Sequence, residues 1–315
     1  MRLCTAIPKY VAVKRTSGMA FVNGAYFLRV FTRIAGGRTS VSKVCPDVVQ
    51  TFLNSHGSGT RTWNEKYHIL RGFWTFAIER GYTDRCPLPA WPRKEVKNFT
   101  PYIYTHEELK RLLGGIKTCQ SKWCLLEPIS VRAMLLLLYG AGLRISEATR
   151  LTCSDVDFSE VTLTIRGTKF HKTRRIALNP QLCRVLREYD ENRRQSGHER
   201  DDTSPFFTYN NGGIVSRGAL EVVFRNLRHH AGIGPTTGRK QPRIHDLRHT
   251  FAVHRVIAWY RNGLDVQHLL PGLSTHLGHT DLASTQVYLT MTPELLAEAS
   301  LRFERYVGEV VHGEA

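Results

Sequence analysis

Six side chains spread along the sequence, Arg144, Lys169, His245, Arg248, His279 and Tyr288, are of the types that a phosphodiester exchange without a metal ion would need. As phosphorus becomes five-coordinate, its non-bridging oxygens must be held. Arginine suits this because its planar fork donates several hydrogen bonds and keeps its charge. The leaving oxygen needs a proton, which a lysine or histidine can deliver. A tyrosine can attack and conserve the bond energy in a covalent ester. Four segments hold the set: Gly142-Leu-Arg144-Ile-Ser-Glu147, Gly167-Thr-Lys169, His245-Asp-Leu-Arg248-His249, and Leu277-Gly-His279 with Tyr288 following.

Taken singly, each residue has a plainer reading. Arg144 follows a Gly-x-Gly break, so it can cap the preceding helix or pair with Glu147. Lys169 shares a basic loop with Lys172, where solvated charge is the ordinary outcome. His245 and His249 are four apart and His276 and His279 three apart, spacings that suit zinc on a helix face, but nothing beside them completes a ligand set. Tyr288 is one of twelve tyrosines.

The elements around these residues follow from pattern. Val131 to Tyr139 is apolar enough for a buried helix. Gly140 and Gly142 interrupt it and Ile145 to Leu151 resumes it, leaving Arg144 in the break. Val161, Leu163 and Ile165 alternate with Thr162, Thr164 and Arg166, which predicts a strand. Arg175 to Leu178 reads as the returning strand, so Gly167 to Arg174 becomes a basic hairpin loop around Lys169. Helical pattern follows at Gln181–Glu191, Arg217–His230, His249–Arg261 and Pro293–Val307. Thr292 can cap the last of these, whose apolar side is Leu295, Leu296, Ala299, Phe303, Tyr306 and Val307.

Arg85 to Pro101 reads as a basic linker, because Pro87, Pro89 and Pro92 break any helix. Thr105 with Glu108 three residues later predicts a capping box opening the next helix. The boundary falls near residue 99, giving domains 1–99 and 100–315. The first domain reads as all helical. A helix from a Thr62–Glu65 capping box carries Trp63, Tyr67, Leu70, Trp74 and Ile78 as a core stripe, places Lys66, Arg71 and Arg80 among its polar positions, and stops at Gly81. Pro46 to Leu53 is a shorter helix, and Phe21 to Phe31 fits strand or helix. The second domain is α+β with a small antiparallel sheet.

The 315 residues carry 44 Lys and Arg against 27 Asp and Glu, a formal charge of +17. Residues 1–100 hold 16 basic and 5 acidic side chains, so the first domain is the more densely basic. A polyanion is the natural partner, and nucleic acid is the commonest. The longest apolar run, Ala133 to Tyr139, falls far short of the roughly 20 residues that span a bilayer. The opening MRLCTAIPKY has no apolar core of a signal peptide, and the seven scattered cysteines fit reduced thiols, so a cytoplasmic protein with no membrane partner is expected.

The ordered set resembles the tyrosine recombinase (phage integrase) family. YGAGLRISEATRL is similar to the family's first arginine box and places its arginine at Arg144. Thr168-Lys169, ahead of KTRRIAL, is similar to its hairpin lysine, with Lys172 as the rival in the same loop. HDLRHTFA resembles its His-x-x-Arg box, and LGHTDLASTQVYL its Leu-Gly-His box with the nucleophile nine residues on. The stretch between Phe251 and Leu277 is longer than in compact members, with an added-looking LLPGLST.

The resemblance implies a two-domain, mainly α fold: a core-binding domain of SAM-like helical-bundle type, then the α+β catalytic domain. It implies that Tyr288 attacks DNA to form a 3′-phosphotyrosyl link and that Lys169 protonates the departing 5′-oxygen. Arg144, Arg248 and His279 would hold the phosphate, with His245 as base or orienting group. No cofactor and no metal are implied. Double-stranded DNA is the implied partner, bound as a homo-tetramer on paired sites by a chain that is monomeric or weakly associated when free, with an accessory recombinase or DNA-bending protein allowed for. The alternatives are a type IB topoisomerase, a DNA-binding regulator with a spent site, and a metal-dependent hydrolase built on the histidine pairs.

Overall fold

Helix-capping residues and apolar periodicity account for most of the architecture. The computed structural model describes residues 1–57, 60–90, 101–119, 125–167, 173–197, 201–235, 241–279, 281–290, 294–298 and 300–301. The chain divides into two compact units, 1–99 and 100–315.

The α-helices described in the first unit are α1 (Leu3–Thr16), α2 (Val22–Ala35), α3 (Pro46–Asn54) and α4 (Arg61–Glu79), and no strand is among its described elements. The ambiguous Phe21–Phe31 stretch is therefore mainly helix. Trp63, Tyr67, Leu70 and Trp74 of α4 are buried with Leu28, Phe31 and Phe52, and each such side chain contributes roughly 1.5–3 kcal/mol through burial. Three details correct the sequence reading. The cap of α4 is Thr60, whose Oγ1 accepts from the Trp63 amide at 3.1 Å, not Thr62. Ile78 is exposed, and the stripe runs through Phe73, Phe76 and Ala77 instead. Lys66 is only 1% exposed. Its Nζ donates to the Phe52 carbonyl (2.9 Å) and Ser55 Oγ (2.6 Å) at the end of α3, and it lies 4.8 Å from the Phe52 ring centre. Burial pulls its pKa down.

The second unit opens with α5 (His106–Gly114) and α6 (Ile116–Cys119). The Thr105–Glu108 capping box forms with both of its hydrogen bonds. Next come α7 (Pro128–Gly140) and the single turn α8 (Ile145–Ala148), shorter than the Ile145–Leu151 helix expected. The antiparallel sheet is β1 (Val156–Asp157), β2 (Thr162–Ile165) and β3 (Arg174–Ala177), in that order. Leu163 pairs with Ile176 and Ile165 with Arg174, so Leu163, Ile165 and Ile176 face the core. Then follow α9 (Pro180–Gln195), α10 (Arg217–His230), α11 (Asp246–Arg261), α12 (Val266–Leu277) and α13 (Ala283–Gln286), ending in a 3-10 turn at Val287–Thr290. The apolar α7 packs against α9 and α11. The added-looking LLPGLST stretch lies inside α12.

Of the expected tail helix, residues 294–298 and 300–301 are described and helical. Leu295 is buried among residues of α11 and α12, while Arg261 of α11 reaches Glu294 (2.6 Å) and Glu298 (2.8 Å). Thr292, Pro293, Ala299, Phe303, Tyr306 and Val307 lie outside the described residues. No helix among the described residues is long and apolar enough to cross a membrane.

Candidate active site

Five of the six expected residues converge from four separate places in the second unit. Lys169 and its rival Lys172 lie outside the described residues. Arg144 stands in the break between α7 and α8, His245 just before α11, Arg248 in its first turn, His279 just after α12, and Tyr288 in the 3-10 turn.

The frame that holds the arginines is a carboxylate and a helix end. Glu147 accepts from Arg144 Nη1 (2.8 Å) and the Arg144 amide (3.0 Å), and from Arg174 Nη1 (3.1 Å) and Nη2 (2.8 Å). Arg248 Nη1 is 3.9 Å from the same carboxylate. The three guanidiniums also share the C-terminal carbonyls of α12: Arg174 Nε donates to His276 O (2.8 Å), Arg248 Nη2 to Leu277 O, and Arg144 Nη2 to Gly278 O (3.1 Å). Unpaired carbonyls at a helix C-terminus carry partial negative charge, so cations are favoured there. Three arginines on one carboxylate leave a surplus of positive charge for a phosphate.

Two glycines make this geometry accessible. Gly142 (φ +63) directs its carbonyl to Arg248 Nη1 at 2.7 Å, and a Cβ there would lie 2.4 Å from the Phe251 ring. Gly278 (φ +64) ends α12, and a Cβ there would come within 2.7 Å of Arg174 Nη1. Both positions need the left-handed backbone that glycine adopts without cost.

Electrostatics follow burial. Burial alone would raise the Glu147 pKa, but the bonds from Arg174 and Arg144 outweigh it and hold the carboxyl down at about 2. Arg248 is 2% exposed. Burial and the neighbouring Arg144 work against its charge, which Glu147 opposes. Burial, then Arg248 and further arginines, lower His245 and His279 to about 4 each, so both are neutral near pH 7. Tyr288 is 2% exposed, and burial pushes its phenol up despite Arg248 and Arg144.

The histidines are otherwise engaged than as zinc pairs. His276 Nε2 donates to Ala141 O at 2.9 Å, and its ring stacks on Phe251. His279 Nδ1 is 2.7 Å from Thr285 Oγ1. His249 Nδ1 is 3.1 Å from the Tyr288 hydroxyl. No metal-holding group of three or more His, Cys, Asp or Glu occurs among the described residues.

Sequence reasoning missed Arg174 as the third arginine of the frame, and saw His249 only as half of a zinc pair. Arg174 had a signal: it is two residues from the inward-facing Ile176, so strand alternation turns it inward while Arg175 faces out. Beside Arg144 and His245 opens a cleft of about 580 Å³. Arg217, Arg225, Arg228 and Arg243 line it above an apolar floor that includes Phe224 and Ile244.

The model of the phage integrase family matches residues 103–294, which contain all of this constellation. The chain is 40% identical over 211 residues to the putative integrase/recombinase y4rB of Sinorhizobium fredii, covering 66% of this chain and 67% of that protein. It is 31% identical over 301 residues to the putative integrase/recombinase y4rE of the same organism, covering 94% of each. Tyrosine recombinase XerA of Thermococcus kodakarensis is 28% identical over 264 residues, 82% of this chain and 81% of that one. Among solved structures, the Tn1549 transposon integrase in complex with circular intermediate DNA superposes with a TM-score of 0.69 at 18% identity, covering 97% and 99% of the two chains. A lambda integrase dimer bound to a core site gives 0.65 at 15%, covering 90% and 97%. The chain belongs to the phage integrase family and is a DNA recombinase of the tyrosine type, with that family's mainly helical fold and small sheet.

Proposed function

We propose that the chain cuts and rejoins duplex DNA at specific sites through a covalent link to Tyr288, without metal or cofactor. One observation carries the reading. A buried tyrosine hydroxyl stands in the field of Arg144 and Arg248, and both arginines are fixed by Glu147 and the end of α12. In this reading the two guanidiniums hold the non-bridging oxygens as charge builds on phosphorus. His279 and His245 orient the phosphate from either side. Lys169, or Lys172 in the same loop, protonates the departing 5′-oxygen. A 5′-hydroxyl from a partner strand then attacks the phosphotyrosine and restores Tyr288. The bond energy is conserved, so the exchange needs no ATP.

The arginine-lined cleft beside Arg144 supports a DNA backbone running past the site, since arginine forks pair with phosphates. Exchange between two duplexes needs four cuts, so the working form is a tetramer on paired sites, acting on cytoplasmic DNA. Residues 1–99 serve as the second DNA-binding domain.

Covalent adducts test the reading. The chain is expressed in a bacterial host, lysed under denaturing conditions with EDTA, and the protein-linked DNA is sequenced beside Tyr288→Phe. A 3′-linked adduct at recurrent sites, formed by wild type alone, is expected. An equal adduct from Tyr288→Phe overturns the assignment of the nucleophile, and purified chain that forms the adduct on duplex DNA only when a divalent metal is supplied overturns the metal-free reaction.

A further inference from the structure

We propose that His249 orients the Tyr288 hydroxyl and takes its proton during strand cleavage. The inference rests on Tyr288 being the nucleophile, and adds the group that activates it.

The geometry is direct. His249 Nδ1 lies 3.1 Å from the Tyr288 hydroxyl, with ring centres 5.7 Å apart. Tyr288 is almost fully buried, so bulk water has little access to take the proton. His245, by contrast, lies on the cleft side with Arg144, and its ring meets His249 edge-on at 5.1 Å. Helix α11 explains the division of labour. Arg248 turns to the carbonyls of Gly142 and Leu277, and His249, one residue on, turns to the tyrosine.

His249 is in the correct state to accept. Burial, then His245, Arg248, Arg243 and His279, hold its pKa at about 3, so the ring is neutral at pH 7. With Nε2 carrying the ring proton, Nδ1 offers its lone pair to the phenol. Arrival of the scissile phosphate adds negative charge among these cations and raises the basicity of His249 toward its task. As the Tyr288 oxygen bonds to phosphorus, its proton passes to Nδ1. The bond from phosphorus to the 5′-oxygen breaks, and that oxygen takes a proton from the lysine side. In rejoining, the 5′-hydroxyl gives its proton back to the lysine side as its oxygen attacks phosphorus, the phosphotyrosine bond breaks, and His249 returns the proton to Tyr288.

The test uses the full chain on a duplex carrying a site recovered from wild-type adducts, in single-turnover cleavage. His249→Asn places an amide oxygen near the position of Nδ1: it can accept the hydrogen bond but not the proton. His249→Leu removes both. Both variants are expected to cleave roughly 10²–10⁴-fold more slowly, the range of a lost general base, while binding the duplex normally. A second substrate has sulfur in place of the 5′-bridging oxygen, a leaving group that needs no proton. It is expected to leave the His249→Asn defect intact and to relieve that of Lys169→Ala. The pH–rate profile of His249→Asn is expected to rise with hydroxide, as Tyr288 ionises unaided. Wild-type cleavage by His249→Asn, or its full rescue by the sulfur substrate, overturns the proposal. Tyr288→Phe is run alongside: if it forms the adduct, the nucleophile assignment has failed, and with it the premise of this one.

Discussion

Glu147→Gln isolates the charge that holds the arginine frame. The Glu147 side chain is 7% exposed, and its pKa sits at about 2 against an ordinary 4.5. At about 1.36 kcal/mol per unit, the ionised carboxylate contributes on the order of 3 kcal/mol to folding at neutral pH. That agrees with the roughly 3–5 kcal/mol lost when one partner of a buried ion pair is removed. The sign follows from linkage. A carboxylate whose pKa is depressed by folding contributes fully above its unfolded value and progressively less as pH falls from 4.5 toward 2. The variant should therefore lose about 3 kcal/mol in urea unfolding at pH 7, and the gap to wild type should narrow as the pH drops below 4.5.

Function should separate from affinity in the same variant. Arg144 and Arg174 both lose their carboxylate partner, so cleavage should fall by about 10²–10³, comparable with losing a preorganised oxyanion donor. Non-specific DNA binding should hold or strengthen, because the variant gains one net positive charge. An unfolding midpoint equal to wild type at pH 7, or a gap that stays constant on acidification, would refute the reasoning.

Gly278→Ala should cost about 1–2 kcal/mol for the left-handed backbone alone, and its methyl would displace Arg174. Thermal melting and cleavage should both fall, with DNA binding retained. Lys66→Met keeps the aliphatic stem but leaves the Phe52 carbonyl without this donor, a loss of roughly 1–3 kcal/mol in urea unfolding. Because burial lowers the folded pKa of Lys66, the unfolded chain binds more protons as pH rises through that value toward 10.5. Wild type should therefore gain on the Met variant over that window. Arg225→Ala, in the cleft beside Arg144, should flatten the slope of log binding constant against log salt on duplex DNA by about 0.9, the share of one phosphate contact. An unchanged slope would remove Arg225 from the DNA path.

Local chemistry was legible in the sequence wherever it was settled within a few residues. The Thr105–Glu108 box, the apolar run of α7 and the alternation through β2 each reappear in the structure. Ambiguity began where two local solutions were equal. Thr60 and Thr62 are both good caps, and Phe21 to Phe31 satisfies either period. Lys66 looked solvated because its partners, the last turn of α3, are a tertiary fact. The arrangement of the site is of the same kind. Its residue types and their order could be read, but not which histidine meets the tyrosine: His245 at the cap of α11 and His249 in its first turn are four residues apart, and the choice between them depends on where the turn after α12 returns. The arginine frame was hidden for a deeper reason. Its acceptors at His276, Leu277 and Gly278 are backbone carbonyls, and a carbonyl has no residue identity to recognise. The frame's trace in the sequence is indirect, left by Gly142 and Gly278. Those are the positions where a side chain would collide with the groups being held.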